Sequence, residues 1–340
     1  MAEISRSTVE ASRVDKVRRQ GKGAVIRELG QELLRVRRDR RWGNPWGYIL
    51  ALPPVLLYAV FQVYPIVRGL IMAFQDYRYL IPESRSPFTS FNGLGNWIEL
   101  FQDHFFWSSL KVSVLFALGD FTLSVGLGLF VAVVIAYLKG RFLAVVTRVI
   151  TYLPVVLPMA VAMRVWTILY SPTIGYVNHV IESVLGIQQG PTWLGYDWAL
   201  VAVIIASVWK NFGFKALLFL VGLYGINQEL YEAAAIDGAG AWSRFLHVTL
   251  PGLKPMFALV FVLGGGAGAR GLFSATAPMM LLTDGGPADA TLSAGLYAYR
   301  VAFEYGDMRL GYASTIVLLL GLMHLGLSSV IFRTMRVERA

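Results

Sequence analysis

Five charged side chains lie within or beside long apolar stretches of this sequence, namely Asp120, Arg164, Lys210, Lys215 and Arg270. A charge near the centre of a bilayer costs about 2.5–3.5 kcal/mol on insertion scales, so each should face a cavity, a partner or the membrane surface. We expect Arg164 near the surface, where its long side chain can reach water. Two interpretations stay open for Lys210 and Arg270: they line a polar route for a solute, or they pair with Asp120 or with another subunit.

The other residue types that commonly do chemistry indicate no catalytic site. The four histidines lack metal-ligand spacing, and the absence of cysteine excludes disulfides and thiol catalysis. The run GGGAGARG, 264–271, contains a G-x-G-x-x-G pattern, but inside an apolar stretch this pattern favours close helix packing or a flexible gate over nucleotide binding. A G-x-x-x-x-G-K-[ST] phosphate-binding sequence is absent. We therefore predict that the protein is not an enzyme and that this chain binds no cofactor and no metal.

Membrane helices are the elements that must position these charges. Of the 340 residues, 56% are hydrophobic and 15% are charged, and the mean hydropathy is +0.57, which is unlike an ordinary soluble domain. A bilayer core needs about 20 mostly apolar residues per helix. Six stretches meet this length, and the fifth is long enough to tilt or break. The sequence thus predicts an all-α polytopic membrane protein with six transmembrane helices, at 46–64, 112–138, 149–169, 199–224, 251–281 and 311–332.

The basic residues orient these spans. Of the 30 Lys and Arg residues, 20 fall in the segments 1–45, 139–148, 228–254 and 333–340, and 6 fall in the segments on the opposite side. The positive-inside rule therefore places both termini and the segment 228–254 in the cytoplasm. We predict a multi-pass protein of the plasma (inner) membrane.

The chain divides into three parts on this topology. Residues 1–45 form a basic cytoplasmic N-terminal segment, residues 46–332 form the transmembrane domain with a cytoplasmic loop at 226–254, and residues 333–340 form a cytoplasmic tail. Helical spacing of apolar residues in IRELGQELLRVRRDRRW predicts that the N-terminal segment lies on anionic lipid headgroups. A nucleic-acid partner is not predicted.

The cytoplasmic loop holds a polar patch between two apolar stretches, YEAAAIDGAGAWSRFLHVTLPGLKP, at 231–255. Asn227 can cap a helix that starts at Gln228, and two glycines can end it near residue 238. A second short helix is predicted at 241–248, before Pro251 returns the chain to the membrane. That helix has more apolar surface than a solvated loop needs, so either the chain's own spans or another protein should cover it.

The same loop resembles the EAA signature of ABC importer permeases. Glu232-Ala233-Ala234, Gly238, Val248 and Leu250-Pro251 stand at the spacing of that family, with Val248 in place of the usual isoleucine. The stretches YPIVRGLIMAFQDY, YLPVVLPMAVAMRVW and LLTDGGPADATLSAGLYAYRVAFEYGDMRLGYAS resemble the carbohydrate branch of the family, of the maltose-transporter type. The resemblance covers most of the chain from residue 46 onward and implies the type I ABC importer permease fold.

This resemblance implies a role for the loop. In the family, the EAA loop forms coupling helices that insert into a cleft of a separate ATPase subunit. Glu232 would then contact the ATPase, Gly238 would form a bend, and Pro251 would break the helix before the fifth span. The residues assigned to ATPase coupling are Glu232, Ala233, Ala234, Asp237, Gly238, Leu250 and Pro251.

The resemblance also implies the partners and the solute class. The expected partners are a second, different permease subunit, two ATPase subunits that bind ATP and Mg, an external solute-binding protein and membrane lipid. The implied function is ATP-driven import of a sugar, oligosaccharide or polyol. Near the external end of the fifth span, only Phe273 matches the aromatic and acidic residues common in relatives. The candidate translocation-path residues are Lys210, Phe212, Phe214, Arg270 and Phe273.

A secondary carrier or channel without an ATPase partner is the alternative function. Such a carrier needs its own coupling-ion site, and the sequence lacks the set of paired intramembrane carboxylates that proton-coupled carriers use. The residues therefore favour the ATP-driven importer.

The substitution Glu232→Lys tests the importer interpretation. We expect the variant to fold and insert normally, because the residue is predicted to lie on a cytoplasmic surface, and to transport several-fold less solute, because the charge that meets the ATPase is reversed. Membrane content by immunoblot and uptake of labelled solute are the two measurements. Uptake equal to that of the unmodified protein would contradict the assignment.

Overall fold

The computed structural model describes residues 45–86, 90–138, 140–186, 190–263 and 275–334. The chain divides into two units, one ending at Arg68 and the other beginning at Gly69. Regular structure in the described ranges is helical, apart from one bridge between Gln75 and Phe91. The α-helices are α1 (Pro45–Tyr58), α2 (Tyr64–Met72), α3 (Gly95–Gln102), α4 (His104–Tyr137), α5 (Arg141–Val156), α6 (Met159–Leu169), α7 (Tyr176–Leu185), α8 (Ala199–Tyr224), α9 (Gln228–Ile236), α10 (Ala241–Arg244), α11 (Leu250–Gly252), α12 (Lys254–Leu263), α13 (Thr276–Leu282), α14 (Ala294–Phe303) and α15 (Leu310–Thr334). Shorter helical turns lie at Ala59–Val63, Pro82–Arg85 and Phe245–Thr249.

The membrane-spanning helices agree in most places with the predicted spans. Among the described residues, four helices are long and apolar enough to cross a membrane, and a bent helix pair raises the number to five. The predicted fifth span, 251–281, is described only at its two ends by α12 and α13, and the glycine run 264–271 lies outside the described residues. The all-α polytopic fold is confirmed, and these helices are compatible with six spans. The four unbroken spans are Tyr48–Met72, His104–Tyr137, Ala199–Tyr224 and Leu310–Val330.

The third predicted span, 149–169, is broken in its middle. Helix α5 ends at Val156, helix α6 begins at Met159, and the two are bent by 104°. Pro158 stands at the break with an extended backbone (ψ 144°), and a proline has no N–H to continue the helical bonds. The break leaves carbonyls at the end of α5 without helical partners.

Helices α4 and α8 lie side by side and run in the same direction. A Cβ on Gly119 of α4 would lie 3.5 Å from Cγ2 of Ile204 of α8, and one on Gly128, further along α4, would lie 3.0 Å from Cβ of Lys215. Two membrane helices can be parallel only if the chain crosses the membrane an odd number of times between them. The bent pair α5 and α6 therefore acts as one crossing, as the six-span topology requires.

Helix α8 is also in close contact with α5. A Cβ added to Gly213 of α8 would collide with the carbonyl oxygen of Thr151 of α5, so only glycine permits this approach. Small residues commonly allow membrane helices to pack closely, because the backbones themselves can then touch. Helix α8 thus lies between α4 on one side and α5 on the other.

Asp103 joins three helices at the start of α4. Its side chain accepts the backbone N–H of Phe105 at 2.8 Å and so caps α4, and it accepts the hydroxyls of Tyr297 of α14 and Tyr312 of α15, each at 2.6 Å. Burial raises the pKa of Tyr297, and the hydrogen bond to Asp103 raises it further. The phenol therefore stays protonated and remains a donor.

Replacing Asp103 should loosen this end of the domain. Asp103→Ala removes a helix cap and two hydrogen bonds to a carboxylate, so we expect the free energy of unfolding to fall by about 3–5 kcal/mol. Asp103→Asn is the matched control, since its side-chain oxygen still caps α4, and it should lose less. Thermal unfolding of the purified protein, followed by tryptophan fluorescence, measures both. Equal midpoints for Asp103→Ala and the unmodified protein would refute the role of this residue.

Candidate functional site

The predicted first helix of the cytoplasmic loop is present as α9. Asn227 caps it: its Oδ1 accepts the backbone N–H of Glu229 at 3.1 Å, and its Nδ2 donates to Glu229 Oε2 at 3.0 Å. Glu229 lies in the first turn, where the helix dipole favours an acid. The predicted cap and the predicted start at Gln228 are both confirmed.

Helix α9 ends at a glycine, as predicted. Gly238 has φ +80°, a left-handed conformation in which a side chain is strained. Its N–H donates to the Ala235 carbonyl at 3.1 Å, and the N–H of Ala239 donates to the Ala234 carbonyl at 2.9 Å. This pair of bonds is the Schellman arrangement that closes many helices. Gly238 therefore produces the bend between α9 and α10.

The second helical part of the loop is longer than predicted. Helix α10 continues through a π-helical turn, Phe245–Thr249, into α11, which includes Pro251 and ends at Gly252. The prediction that this helix stops at residue 248 and that Pro251 itself breaks it was wrong. Pro251 has no N–H to donate, and the turn directly before it is wound as a π-helix, in which the N–H of Leu250 donates to the Phe245 carbonyl. Helix α12 starts only at Lys254, after Leu253.

The loop presents an exposed surface that carries both charges and apolar groups. Ile236 is 87% exposed and Trp242 is 71% exposed, which is unusual for side chains of this size in a folded domain. Trp242 also stacks on Phe245, with the ring centroids 5.5 Å apart. Of the residues assigned to coupling, Ala234 and Leu250 are half-buried, whereas the exposed ones are Glu232, Ala233, Asp237, Gly238 and Pro251.

One hydrogen bond holds the loop together, and one buried leucine holds it to the helical body. The hydroxyls of Tyr231 of α9 and Thr249 of the π-helical turn are hydrogen-bonded at 2.9 Å, which joins the two halves of the loop. Leu253, near the end of the loop, is fully buried in a cluster with Phe219 of α8 and Ala132 of α4. The loop is therefore positioned by both α4 and α8.

The candidate translocation-path residues are only partly brought together. The ammonium of Lys210 donates to the carbonyl of Val155 at 3.0 Å, in the last turn of α5 beside its break. Phe212 and Phe214 are half-buried on α8. Arg270 and Phe273 lie outside the described residues. The sequence analysis did not predict that Lys210 binds a backbone carbonyl at this break. Pro158 was the available signal, because a proline within a span predicts a break that leaves carbonyls unpaired.

Two other charges inside the spans form a buried pair. The side chains of Lys215 of α8 and Asp120 of α4 are 1% and 7% exposed, and their nearest charged atoms lie 3.8 Å apart. The Lys215 ammonium also donates to the hydroxyl of Ser124, and that hydroxyl donates to the backbone carbonyl of Asp120. The sequence offered Asp120 as a partner for Lys210 or Arg270, but among the described residues its ionic partner is Lys215.

The remaining predicted features concern packing and metal binding. Arg164 is exposed on α6, and its place near the membrane surface stays a prediction. Trp166 packs against Tyr170 and Trp209 at centroid distances of 5.0 Å and 5.8 Å. Throughout the described ranges, no group of three or more His, Asp or Glu side chains is arranged to hold a metal ion.

Three known transport permeases are similar in sequence to this chain. The chain is 33% identical over 280 residues to the probable ABC transporter permease protein YurN of Bacillus subtilis, covering 82% of this chain and 92% of the relative. It is 35% identical over 273 residues to the trehalose/maltose transport system permease protein MalF of Thermococcus litoralis, covering 80% and 88% of the two chains. The lactose transport system permease protein LacF of Rhizobium radiobacter is 30% identical over 301 residues, covering 88% and 97%.

A solved structure shares the fold. The crystal structure of a bacterial ABC transporter involved in the import of the acidic polysaccharide alginate superposes with a TM-score of 0.71 at 21% identity, over 91% of this chain and 100% of that chain. This likeness shows the type I importer permease fold. The relatives are transport permeases and not enzymes, because in this family ATP hydrolysis belongs to a separate chain.

The family model defines the membership. Residues 124–338, which include α8, the loop and α15, match the model of the binding-protein-dependent transport system inner membrane component. Members are multi-pass inner-membrane proteins that work with a solute-binding protein and other subunits. A secondary carrier without an ATPase is therefore set aside as an alternative. The chain belongs to the family of binding-protein-dependent inner-membrane transport components and is a permease subunit of an ABC importer.

Proposed function

We propose that the loop 226–254 is the ATPase-coupling site of this permease and that the solute is a sugar, oligosaccharide or polyol. The observation that carries the coupling proposal is the capped, exposed helix α9 followed by exposed Ile236 and Trp242. A surface with large apolar side chains at its centre and charges at its rim is typical of a protein interface. Glu232 and Asp237 supply the charges beside this apolar patch.

The remaining partners follow from the same proposal. The complex contains a second, different permease subunit, two ATPase subunits that bind ATP and Mg, and an external solute-binding protein, and this chain itself binds no cofactor. Both termini and the loop face the cytoplasm, because 20 of the 30 Lys and Arg residues lie on that side. The N-terminal segment 1–45 lies outside the described residues up to position 44, and its 12 basic residues support a proposed contact with anionic lipid headgroups.

The solute class is supported by the relatives. Their names include trehalose/maltose, lactose and sn-glycerol-3-phosphate transport, all of which concern carbohydrates or a polyol phosphate. Phe212 and Phe214 offer half-buried aromatic side chains for such a solute on α8, the helix that also carries Lys210. The other two residues of the proposed path, Arg270 and Phe273, are included on the basis of the sequence alone.

Co-purification tests the proposed complex. The tagged chain is purified from its own membranes in mild detergent, and every co-purifying protein is identified by mass spectrometry. We expect an ATPase with a G-x-x-x-x-G-K-[ST] sequence and a second permease with an EAA loop, both in stoichiometric amounts. Recovery of the chain alone, with no ATPase bound, would overturn the proposal.

The apolar part of the interface has its own test. Ile236→Asp places a charge in the centre of the proposed interface, so we expect about tenfold less ATPase to co-purify at equal membrane content. Ile174→Asp is the matched control, because Ile174 is 64% exposed but lies outside the loop. Equal ATPase recovery from the two variants would remove Ile236 from the interface.

A further inference from the structure

The Lys215 and Asp120 pair lies between the two helices that hold the coupling loop. The pair joins α8 to α4, and both charged groups are almost completely enclosed by protein. Ser124 lies between them along α4, bonded to the ammonium of Lys215 and to the carbonyl of Asp120. The ring of Phe121 lies 5.8 Å from the same ammonium. The ammonium is thus surrounded by α4 groups that suit a cation.

The aliphatic part of the Lys215 side chain also packs closely against α4. A Cβ on Gly128 would lie 3.0 Å from Cβ of Lys215 and 3.1 Å from the backbone nitrogen of Ala216. A larger residue at position 128 would therefore crowd the Lys215 side chain, and glycine leaves room for it. The stem crosses α4 at Gly128, and the ammonium reaches back along α4 to Ser124 and Asp120. Moving α8 along α4 by one turn, about 5.4 Å, would lose the glycine contact and the ion pair together.

Helix α8 transmits this register to the coupling loop. It ends at Tyr224, and the first helix of the loop, α9, starts at Gln228 after a short turn. At the far end of the loop, Leu253 packs into the same α4 and α8 cluster that includes Ile135 and Leu220. The axial position and the rotation of α8 relative to α4 therefore determine the position of the loop.

We propose that Lys215 and Asp120 are positioning residues for transport coupling: their pairing fixes the register of α8 on α4 and, through α8, the position of the coupling helices. The inference rests on the proposed function, since coupling requires an ATPase at the loop. Both side chains are buried between α4 and α8, so the pair acts on the loop through α8. Replacing one partner should let α8 move while the loop surface itself stays intact.

The test uses the complete complex reconstituted in vesicles with its ATPase and binding protein. The variants are Lys215→Met, Asp120→Asn and the neutral, hydrogen-bonding double variant Asp120→Asn/Lys215→Gln. Lys111→Met is the matched control, because this lysine lies on α4, as Asp120 does, but is exposed. We measure membrane content, ATP hydrolysis and solute uptake, and calculate the ATP hydrolysed per solute imported.

Each single substitution of the pair should raise the ATP hydrolysed per solute by about fivefold or more among inserted complexes, and the double variant should return it toward the unmodified value. Lys111→Met should leave the ratio unchanged. A purely structural role would lower only the amount of inserted protein, so an unchanged ratio in both single variants would overturn the proposal. A double variant that inserts normally but stays uncoupled would also overturn it.

A second measurement reports the helix register without any ATPase. Because the chain has no cysteine, cysteines introduced at Gly119 and Ile204 react without background. A Cβ at Gly119 would lie 3.5 Å and 3.6 Å from the two γ carbons of Ile204, which suits a disulfide between these positions. We expect Lys215→Met to lower the disulfide yield several-fold, and an unchanged yield would overturn the register argument. Failure of the unmodified complex to couple ATP hydrolysis to uptake would instead refute the proposed function.

Discussion

The close parallel contact of α4 with α8 is the interaction on which the rest of this structure depends. Hydrocarbon offers no hydrophobic drive between helices, so close packing of small residues and paired polar groups must hold them together. Gly128 is the small residue that allows close packing, and Lys215 and Asp120 are the paired polar groups. Removing one member of a buried ion pair costs about 3–5 kcal/mol, because the remaining charge has no water to solvate it.

The broken third span follows from the same requirement that polar groups be satisfied inside the protein. Pro158 interrupts the helical bonds, and irregular backbone at membrane depth is tolerated where protein groups satisfy it. The ammonium of Lys210 on α8 donates to the Val155 carbonyl beside the break. Gly213, on the same helix, lets α5 approach closely enough for that bond. One helix thus carries a lysine for each of its two neighbours.

The structure of the loop 226–254 has local and long-range determinants. Asn227 and Gly238 begin and end α9 through bonds to neighbouring residues alone, so this helix is encoded locally. Its position, in contrast, depends on Leu253 in the α4 and α8 cluster and on the bond between Tyr231 and Thr249. A loop that is rigid in itself and anchored at its ends can transmit a movement between a partner and the membrane helices, as rigid-body switches require.

The sequence by itself determined the fold class, the approximate positions of the four unbroken spans and the ends of α9, because hydropathy and helix capping depend on residues close together in the chain. It also predicted the EAA-type loop, because that signature is contiguous. The tertiary structure alone decided which charges meet: Asp120 pairs with Lys215, and Lys210 binds a backbone carbonyl. It also extended the loop helix through Pro251. Pairing across helices depends on their register and rotation, which are set by contacts between residues far apart in the sequence.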